Sequence, residues 1–206
     1  MSLLASGEKQ FLLQIARRSL NLTAENAESF LEFSPDELAA SPASTGGAFV
    51  TLRRGKRLRG CIGQLVSDVP LVEVVAYCAK AAALNDPRFA PVARHEVSEI
   101  EIELSVLSSP HDVAPDEIEP GKHGLIVSRG AQRGLLLPQV ASEHGWSGQR
   151  FLEETCAKGG LEPNAWRHES TRIQAFNAEV FSESSVRRET EEAAASPRGS
   201  SYSSST

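Results

Sequence analysis

The strongest constraint on the fold is the regular alternation of apolar and polar residues from position 100 to position 107. Ile100, Ile102, Leu104 and Val106 occupy every second position, and glutamate or serine stands between them. Successive side chains of a β-strand point to opposite faces of a sheet, so this spacing predicts a strand with one face in the core.

Two further regions predict β-hairpins, which favour a mostly antiparallel sheet. Residues 48–52 and 58–63 flank a loop around Gly55, and residues 125–128 and 134–137 flank a turn at Arg129-Gly130. Short β-like runs separated by a glycine-containing loop are typical of hairpins. A last strand is predicted over residues 171–181.

Helices are predicted between these strands. Helical spacing of apolar residues, together with proline and glycine at segment ends, indicates helices over 7–20 (with Ser6 as the N-cap), 70–84, 138–144 and 148–158. Residues 21–47 predict a partly helical connector. The fold class is therefore α+β, with helices packed on a mostly antiparallel sheet.

The C-terminal residues differ in composition from the rest. They are first acidic and alanine-rich, then serine-rich, and such a segment buries too little apolar surface to offset the entropy of ordering. We expect one domain over residues 1–183 and a disordered tail over residues 184–206.

Charge restricts the class of partner. The formal charge of the chain is −6, yet residues 53–59 alone carry +5. A local cationic cluster on an acidic protein disfavours non-specific duplex binding, although it leaves nucleic acid open as a partner. It suits a small anionic ligand or a peptide.

The three cysteines, Cys61, Cys78 and Cys156, are far apart and form no CxxC pair. This spacing disfavours a disulfide framework and a structural zinc site, and the five histidines show no ligand spacing, so no metal site is predicted. No cofactor can be named. The first residues lack the pattern of a secretory signal and no window has the length of a membrane span, so we expect a cytoplasmic protein without membrane contact.

The segment from Leu58 to Gly63 is the main candidate for a site, because it combines arginine, glycine and cysteine. Strand alternation predicts Leu58, Gly60 and Ile62 on one face, and Arg59, Cys61 and Gly63 on the other. Arg59 and Cys61 would then be neighbours on the same face.

Candidate ligand-binding groups are the side chains of Lys56, Arg57 and Arg59 and the backbone of Gly60 and Gly63. A guanidinium fork suits carboxylate or phosphate, and glycine permits close backbone approach. Hairpin-tip charges are also commonly solvated surface, the reading favoured for Arg53 and Arg54. Asp86 and Arg88 form a second cluster, which either pairs and shapes a cleft or ends a helix.

The candidate catalytic residues are Cys61, His123 and Glu103. Nearby cations would favour the thiolate of Cys61, the nucleophilic form, although a small buried cysteine is an equal alternative. His123 lies between Gly121 and Gly124 and could act as an acid, base or ligand. Glu103 could orient Arg59 or act as a base, or it could face solvent.

Five ordered motifs resemble the AMMECR domain, called AmmeMemoRadiSam system protein A in prokaryotes. They are Leu58 to Gly63, Ala81 to Phe89, Ile102 to Leu107, Gly121 to Ile126 and Gly134 to Ala141. The resemblance runs from about Glu8 to Glu183. It implies an α+β fold with two unequal lobes, a cleft near the first motif, and a pathway shared with Memo-like and radical-SAM proteins, but it implies no established activity.

Two functional hypotheses follow. The first is a cleft that binds a small anion, nucleotide or peptide and acts with those partners. The second is an enzyme that uses Cys61 in nucleophilic or redox chemistry, with Arg59 and either His123 or Glu103. The first is favoured, because the sequence offers no clear set of nucleophile, base and orienting residue.

Overall fold

The fold is α+β, as predicted. A computed structural model describes residues 2–42, 47–65 and 67–195. Within these ranges the helices are α1 (Ser6–Glu25), α2 (Pro35–Ala39), α3 (Leu71–Leu84), α4 (Pro138–His144), α5 (Gly148–Lys158) and α6 (Glu183–Ala195). The strands are β1 (Ala48–Arg54), β2 (Arg57–Gln64), β3 (Ile100–Leu107), β4 (His111–Asp112), β5 (His123–Arg129), β6 (Gln132–Leu136) and β7 (Arg172–Ser182). Short 3-10 helices cover Arg94–Glu99, Pro115–Glu117 and Ala165–Arg167.

The strands form one sheet in the order β2-β1-β3-β7-β5-β6, and β4 pairs with β7. All pairings between these named strands are antiparallel, which confirms the predicted sheet type. In this order β2 is an end strand, so the backbone groups on its outer side have no partner among the described strands. This position matters for the site, because β2 carries Cys61.

The described helices other than α2 pack on one face of the sheet and form two apolar clusters there. The first cluster joins α1, α3 and α6 to β1 and β3 and contains Phe181 of β7. The second joins α4 and α5 to β5 and contains Ile173 and Ala175 of β7. These three β7 residues are separated by even numbers of positions, so both clusters lie on the same face. The predicted two lobes and cleft stay a prediction.

The opposite face carries Cys61, and we call it the Cys61 face. Strand register defines it, because directly paired residues of adjacent strands project to the same side. One row across four strands pairs Cys61 with Thr51, Thr51 with Glu103, and Glu103 with Ser182. The next row pairs Gly63 with Phe49, Phe49 with Ser105, and Ser105 with Val180.

Helix and strand bounds agree with the predictions where local signals are strong, and differ at both ends of the chain. The bounds of α4, α5 and β3 are those predicted. Helix α1 runs five residues further than predicted, to Glu25, and its N-cap is Ala5 instead of Ser6. The expected disorder from residue 184 is wrong for residues 184–195, because they belong to α6, which buries Val186 in the first cluster. The rest of the expected tail, residues 196–206, lies outside the described residues.

Candidate functional site

A β-bulge changes the predicted geometry of the segment around Cys61. Gly60 pairs with Leu52 and Leu58 pairs with Arg53, so Arg59 is an extra residue without a partner on β1. Leu52 and Arg53 project to opposite faces, and therefore Leu58 and Gly60 do too. The prediction that these two share a face is wrong, because simple alternation does not continue through a bulge.

The thiol of Cys61 lies in a polar row on the Cys61 face. The hydroxyl of Thr51 on β1 donates a hydrogen bond to Cys61 Sγ at 3.3 Å. Glu103 flanks Thr51 on the other side, so the thiol and the carboxylate are separated by one strand. Cys61 is half-buried, whereas Thr51 is buried. Cys61 is therefore only partly shielded from solvent, and its thiol has a neighbouring hydrogen-bond donor.

Asp86 and Arg88 hold the backbone of Cys61 at the outer edge of β2. The buried carboxylate of Asp86 accepts a hydrogen bond from the Cys61 N–H at 2.8 Å. Arg88 donates to the same carboxylate from Nε at 2.9 Å and from Nη2 at 2.7 Å, and Nη2 also lies 3.5 Å from the Cys61 carbonyl oxygen. The two side chains thus contact the Cys61 N–H and carbonyl oxygen, the groups that a neighbouring strand would otherwise bond.

The charges of this pair are strongly coupled. Hydrogen bonds from Arg88, and from the backbone of Cys61, hold the pKa of Asp86 far below its usual range in spite of desolvation. The Asp86 carboxylate in turn raises the pKa of Arg88. The guanidinium of Arg88 lies beside the backbone of Cys61, with Nη2 3.5 Å from the carbonyl oxygen, and its side chain is 54% exposed.

Arg59 points away from Cys61 Sγ and bonds to the segment before β3. Its Nε and Nη2 donate to both oxygens of Glu96 at 3.0 and 2.8 Å, and its two terminal nitrogens reach the carbonyls of Ala90 and Pro91. The pair lowers the pKa of Glu96 to about 2. Arg59 is thus an anchor for this segment, and its predicted role as an anion ligand stays a prediction.

The two predicted ligand-binding glycines each permit a close contact. A Cβ at Gly60 would lie 2.2 Å from the carbonyl oxygen of Ala82, so its absence lets α3 approach β2 on the helix side. A Cβ at Gly63 would lie 2.2 Å from the ring of Phe49, so its absence lets that ring lie across β2 on the Cys61 face. Gly60 is buried under α3, and Gly63 forms the floor beneath an aromatic ring close to Cys61.

The basic residues of the hairpin differ in how they are paired. Gly55 has a φ of +59°, which glycine adopts readily in the turn between β1 and β2. Arg54 bonds to Glu99, and Arg53 makes only a 3.4 Å contact with Glu103. Lys56 and Arg57 are exposed and form no ion pair with any described residue. Arg53 is the hairpin cation that register places on the Cys61 face.

His123 is separated from the other two predicted catalytic residues. It pairs with Asn177 of β7, which has the same strand parity as Ala175 and therefore lies on the helix side. Its Nδ1 accepts a hydrogen bond from the Glu119 N–H at 3.2 Å, and burial lowers its pKa. The structure thus brings Cys61 and Glu103 to one face and leaves His123 on the other. Glu103 contacts Arg53, whereas the carboxylate bound to Arg59 is that of Glu96.

Sequence reasoning missed Thr51, Phe49 and Glu96. The first two could have been found by pairing the two strands of the hairpin and allowing one extra residue on β2. Glu96 is 37 positions from Arg59, and no local pattern indicates the contact. Cys78 and Cys156 are buried. Among the described residues, no group of histidine, cysteine and carboxylate side chains could hold a metal ion. None of the described helices has both the length and the apolar composition of a membrane span.

Comparisons with known proteins define the class of this domain. A model of the AMMECR1 family matches residues 13–181. A protein of Thermofilum pendens is 40% identical over 200 residues, which cover 89% of this chain and 93% of that protein. Protein PF1979 of Pyrococcus furiosus is 40% identical over 186 residues, with coverage of 84% and 87%.

The fold has a solved counterpart. The crystal structure of the uncharacterized protein PH0010 from Pyrococcus horikoshii matches with a TM-score of 0.73 at 39% identity, covering 88% of this chain and 93% of that one. This chain belongs to the AMMECR1 family.

Proposed function

We propose that the Cys61 face binds a small anionic ligand beside the thiol, with Arg88 and Arg53 as the cationic groups. The observation that carries this proposal is the fixed position of Arg88. Asp86 bonds to its Nε and Nη2, while Nη1 makes no hydrogen bond with a described residue. An exposed guanidinium held in one orientation loses little further entropy when it binds an anion.

The surroundings of Cys61 support an anion of modest size. Arg53 has only a long contact with Glu103, and an anion could replace that carboxylate at low cost. The ring of Phe49 lies over Gly63 and offers an apolar surface next to the polar row. A nucleotide or an acidic peptide group combines charge with an apolar part and would suit this face.

The ligand would serve a pathway shared with Memo-like and radical-SAM proteins. This part of the proposal rests on the family resemblance alone, because the described residues contain no feature that identifies either partner. The site itself can be tested without knowing the pathway.

The test uses the thiol as a reporter of local charge. Iodoacetate is an anion and iodoacetamide is neutral, so the ratio of their rates at Cys61 measures how strongly the site attracts negative charge. We expect a ratio several-fold above that of a free cysteine, decreasing with added salt because the attraction is electrostatic.

Two variants test whether Arg88 causes the high ratio of iodoacetate to iodoacetamide rates. Arg88→Gln should lower the ratio towards that of free cysteine, while Arg150→Gln, which removes an exposed arginine of α5, should leave it unchanged. Equal ratios in the wild-type protein and in free cysteine would contradict the proposal, and so would an Arg88→Gln variant that behaves like the wild-type protein.

A second candidate function is thiol chemistry at Cys61. The hydrogen bond from Thr51 to Cys61 Sγ favours it, because a hydroxyl donor stabilises negative charge on sulfur. A Cys61→Ser variant separates the two candidates in a strain that depends on this protein. Serine would preserve a binding function and abolish thiol chemistry, so full complementation would exclude the enzyme hypothesis.

A further inference from the structure

A groove with exposed aromatic side chains lies on the outer surface of α1 and α3, on the opposite side of the sheet from Cys61. Phe30, in the connector after α1, is 69% exposed, and Tyr77 on α3 is 52% exposed. Together with Leu31 and Phe33 they line a groove of about 200 Å³, which we call the Phe30–Tyr77 groove. Exposed aromatic residues gathered in one concave surface are typical of protein–protein contacts.

The floor of this groove is built from small residues on two packed helices. Ser19 of α1 and Ala76 of α3 are both buried, and the Ser19 hydroxyl donates to the Ala76 carbonyl oxygen at 2.7 Å. Small side chains at the floor leave room between the aromatic walls. Because two packed core helices form the floor, that part of the groove exists before any partner arrives, which lowers the cost of binding.

The lining of the groove contains one charge of each sign, and the two differ in how they are engaged. Lys80 lines it, but the ammonium group lies 3.4 Å from the centroid of the Phe30 ring and donates to the Ser29 carbonyl at 2.8 Å. Glu73 also lines the groove and forms no ion pair with a described residue. The one lysine is therefore already engaged, while the carboxylate is available to a partner.

The connector beside the groove supplies net negative charge. Residues 21–41 contain five acidic residues and neither lysine nor arginine. Glu28 and Glu32 stand on either side of Phe30, are exposed, and form no ion pair within the part of the chain that the structure describes. Apolar walls with an acidic rim are complementary to a segment that carries both apolar and basic side chains.

We propose that the Phe30–Tyr77 groove docks a partner protein through a basic amphipathic segment. One apolar side chain of that segment enters between Phe30 and Tyr77, and a lysine or arginine lies beside Glu73. This interaction is independent of ligand binding on the Cys61 face, because the two surfaces lie on opposite sides of the sheet.

The test identifies which kind of peptide sequence the groove binds, and it requires no known partner protein. Random peptides displayed on phage are panned on the wild-type protein, and the consensus peptide is synthesised with a fluorophore. We expect a consensus rich in lysine or arginine and containing apolar anchors. Its dissociation constant, measured by anisotropy, should rise about tenfold or more in Tyr77→Ala and in Glu73→Lys.

Matched controls make the result specific. Val180→Ala changes an exposed apolar residue on the Cys61 face and should leave peptide affinity unchanged. Circular dichroism confirms that each variant is folded. Selection of no binders, selection of acidic peptides, or equal affinity for Tyr77→Ala would overturn the proposal. Self-association in sedimentation that Tyr77→Ala abolishes would assign the groove to a second copy of the chain and would equally overturn it.

Discussion

The carboxylate of Asp86 accepts a hydrogen bond from the backbone N–H of Cys61 at 2.8 Å and so completes the outer edge of β2. An end strand normally leaves such groups to water or to another chain. Here a side chain 25 positions away fixes the backbone that carries the thiol. The orientation of Cys61 is therefore set from both sides, by Asp86 outside the strand and by Thr51 on the neighbouring strand.

Removal of the Asp86 carboxylate should cost more stability than removal of an exposed one. Asp86→Ala leaves the Cys61 N–H and Arg88 without their acceptor, and we expect a loss of about 1–3 kcal/mol in the free energy of unfolding. The exposed pair of Asp112 with Arg172 provides the control, and Asp112→Ala should cost less than about 1 kcal/mol. Urea unfolding measures both, and equal losses would contradict this assignment.

The same variant should loosen the backbone at Cys61. Hydrogen exchange of the Cys61 amide should become faster in Asp86→Ala, while exchange at Ile102, in the middle of the sheet, should change only as far as global stability does. An unchanged Cys61 amide would show that the edge does not depend on Asp86.

The pair of Glu96 with Arg59 should make stability depend on acid pH. Arg59 lowers the pKa of Glu96 from 4.5 to about 2, so the folded state binds this proton more weakly than the unfolded chain. The contribution is fully present above the unfolded pKa and is lost as pH falls towards 2. The difference in unfolding free energy between wild type and Glu96→Gln should therefore shrink between about pH 5 and pH 3. A difference that stays constant over this range would contradict the pairing.

Alanine at Gly60 should destabilise the protein through a clash with α3. The new methyl group would lie 2.2 Å from the Ala82 carbonyl oxygen, and overpacking of this kind costs about 1–3 kcal/mol. Gly7, in α1, has no atom within 4 Å of the corresponding position, so Gly7→Ala should be neutral or stabilising by up to about 1 kcal/mol. Thermal unfolding of the two variants compares them directly, and a neutral Gly60→Ala would refute the close approach.

Alkylation should distinguish the three cysteines of the folded protein. Cys61 is half-buried, whereas Cys78 and Cys156 are fully buried, and burial raises the pKa of Cys78 to about 11. Iodoacetamide should label Cys61 first and leave the other two unmodified until the protein is unfolded in urea. Peptide mass spectrometry gives the three rates, and labelling of Cys78 as fast as that of Cys61 would contradict this order.

Sequence patterns predicted the elements whose signals are local. Alternation defined β3, and Pro138 and the Gly159-Gly160 pair marked the limits of α4 and α5. The composition of residues 184–195 predicted disorder, but these residues belong to helix α6. This helix is held by packing of Val186 against the first cluster and by the ion pair of Glu183 with Arg17 of α1. Both are tertiary contacts that no window of sequence contains.

The sequence predicted several of the residues at the candidate site but not how the sheet arranges them. The pairing of Asp86 with Arg88 is a contact between positions two apart and was foreseen as one of two alternatives. The bulge at Arg59 depends on how β2 pairs with β1, so alternation alone placed Leu58 and Gly60 incorrectly. His123 is distant from Cys61 because β5 enters the sheet beyond β7, an order set by the whole topology.

The helices that form the two apolar clusters pack on one side of the sheet. Natural selection should therefore act mainly on folding stability on that side and mainly on recognition at the exposed positions of the other. Substitutions on the helix side change the free energy of unfolding, so selection removes the destabilising ones whatever their effect on activity. Around the thiol, Arg53 is only half-buried and Val180 is exposed, so these positions can diverge between relatives according to what each one recognises. Differences among family members at Arg53 and Val180 should thus record specificity, whereas those at Ile102 or Leu104 should record only the volume of the interior.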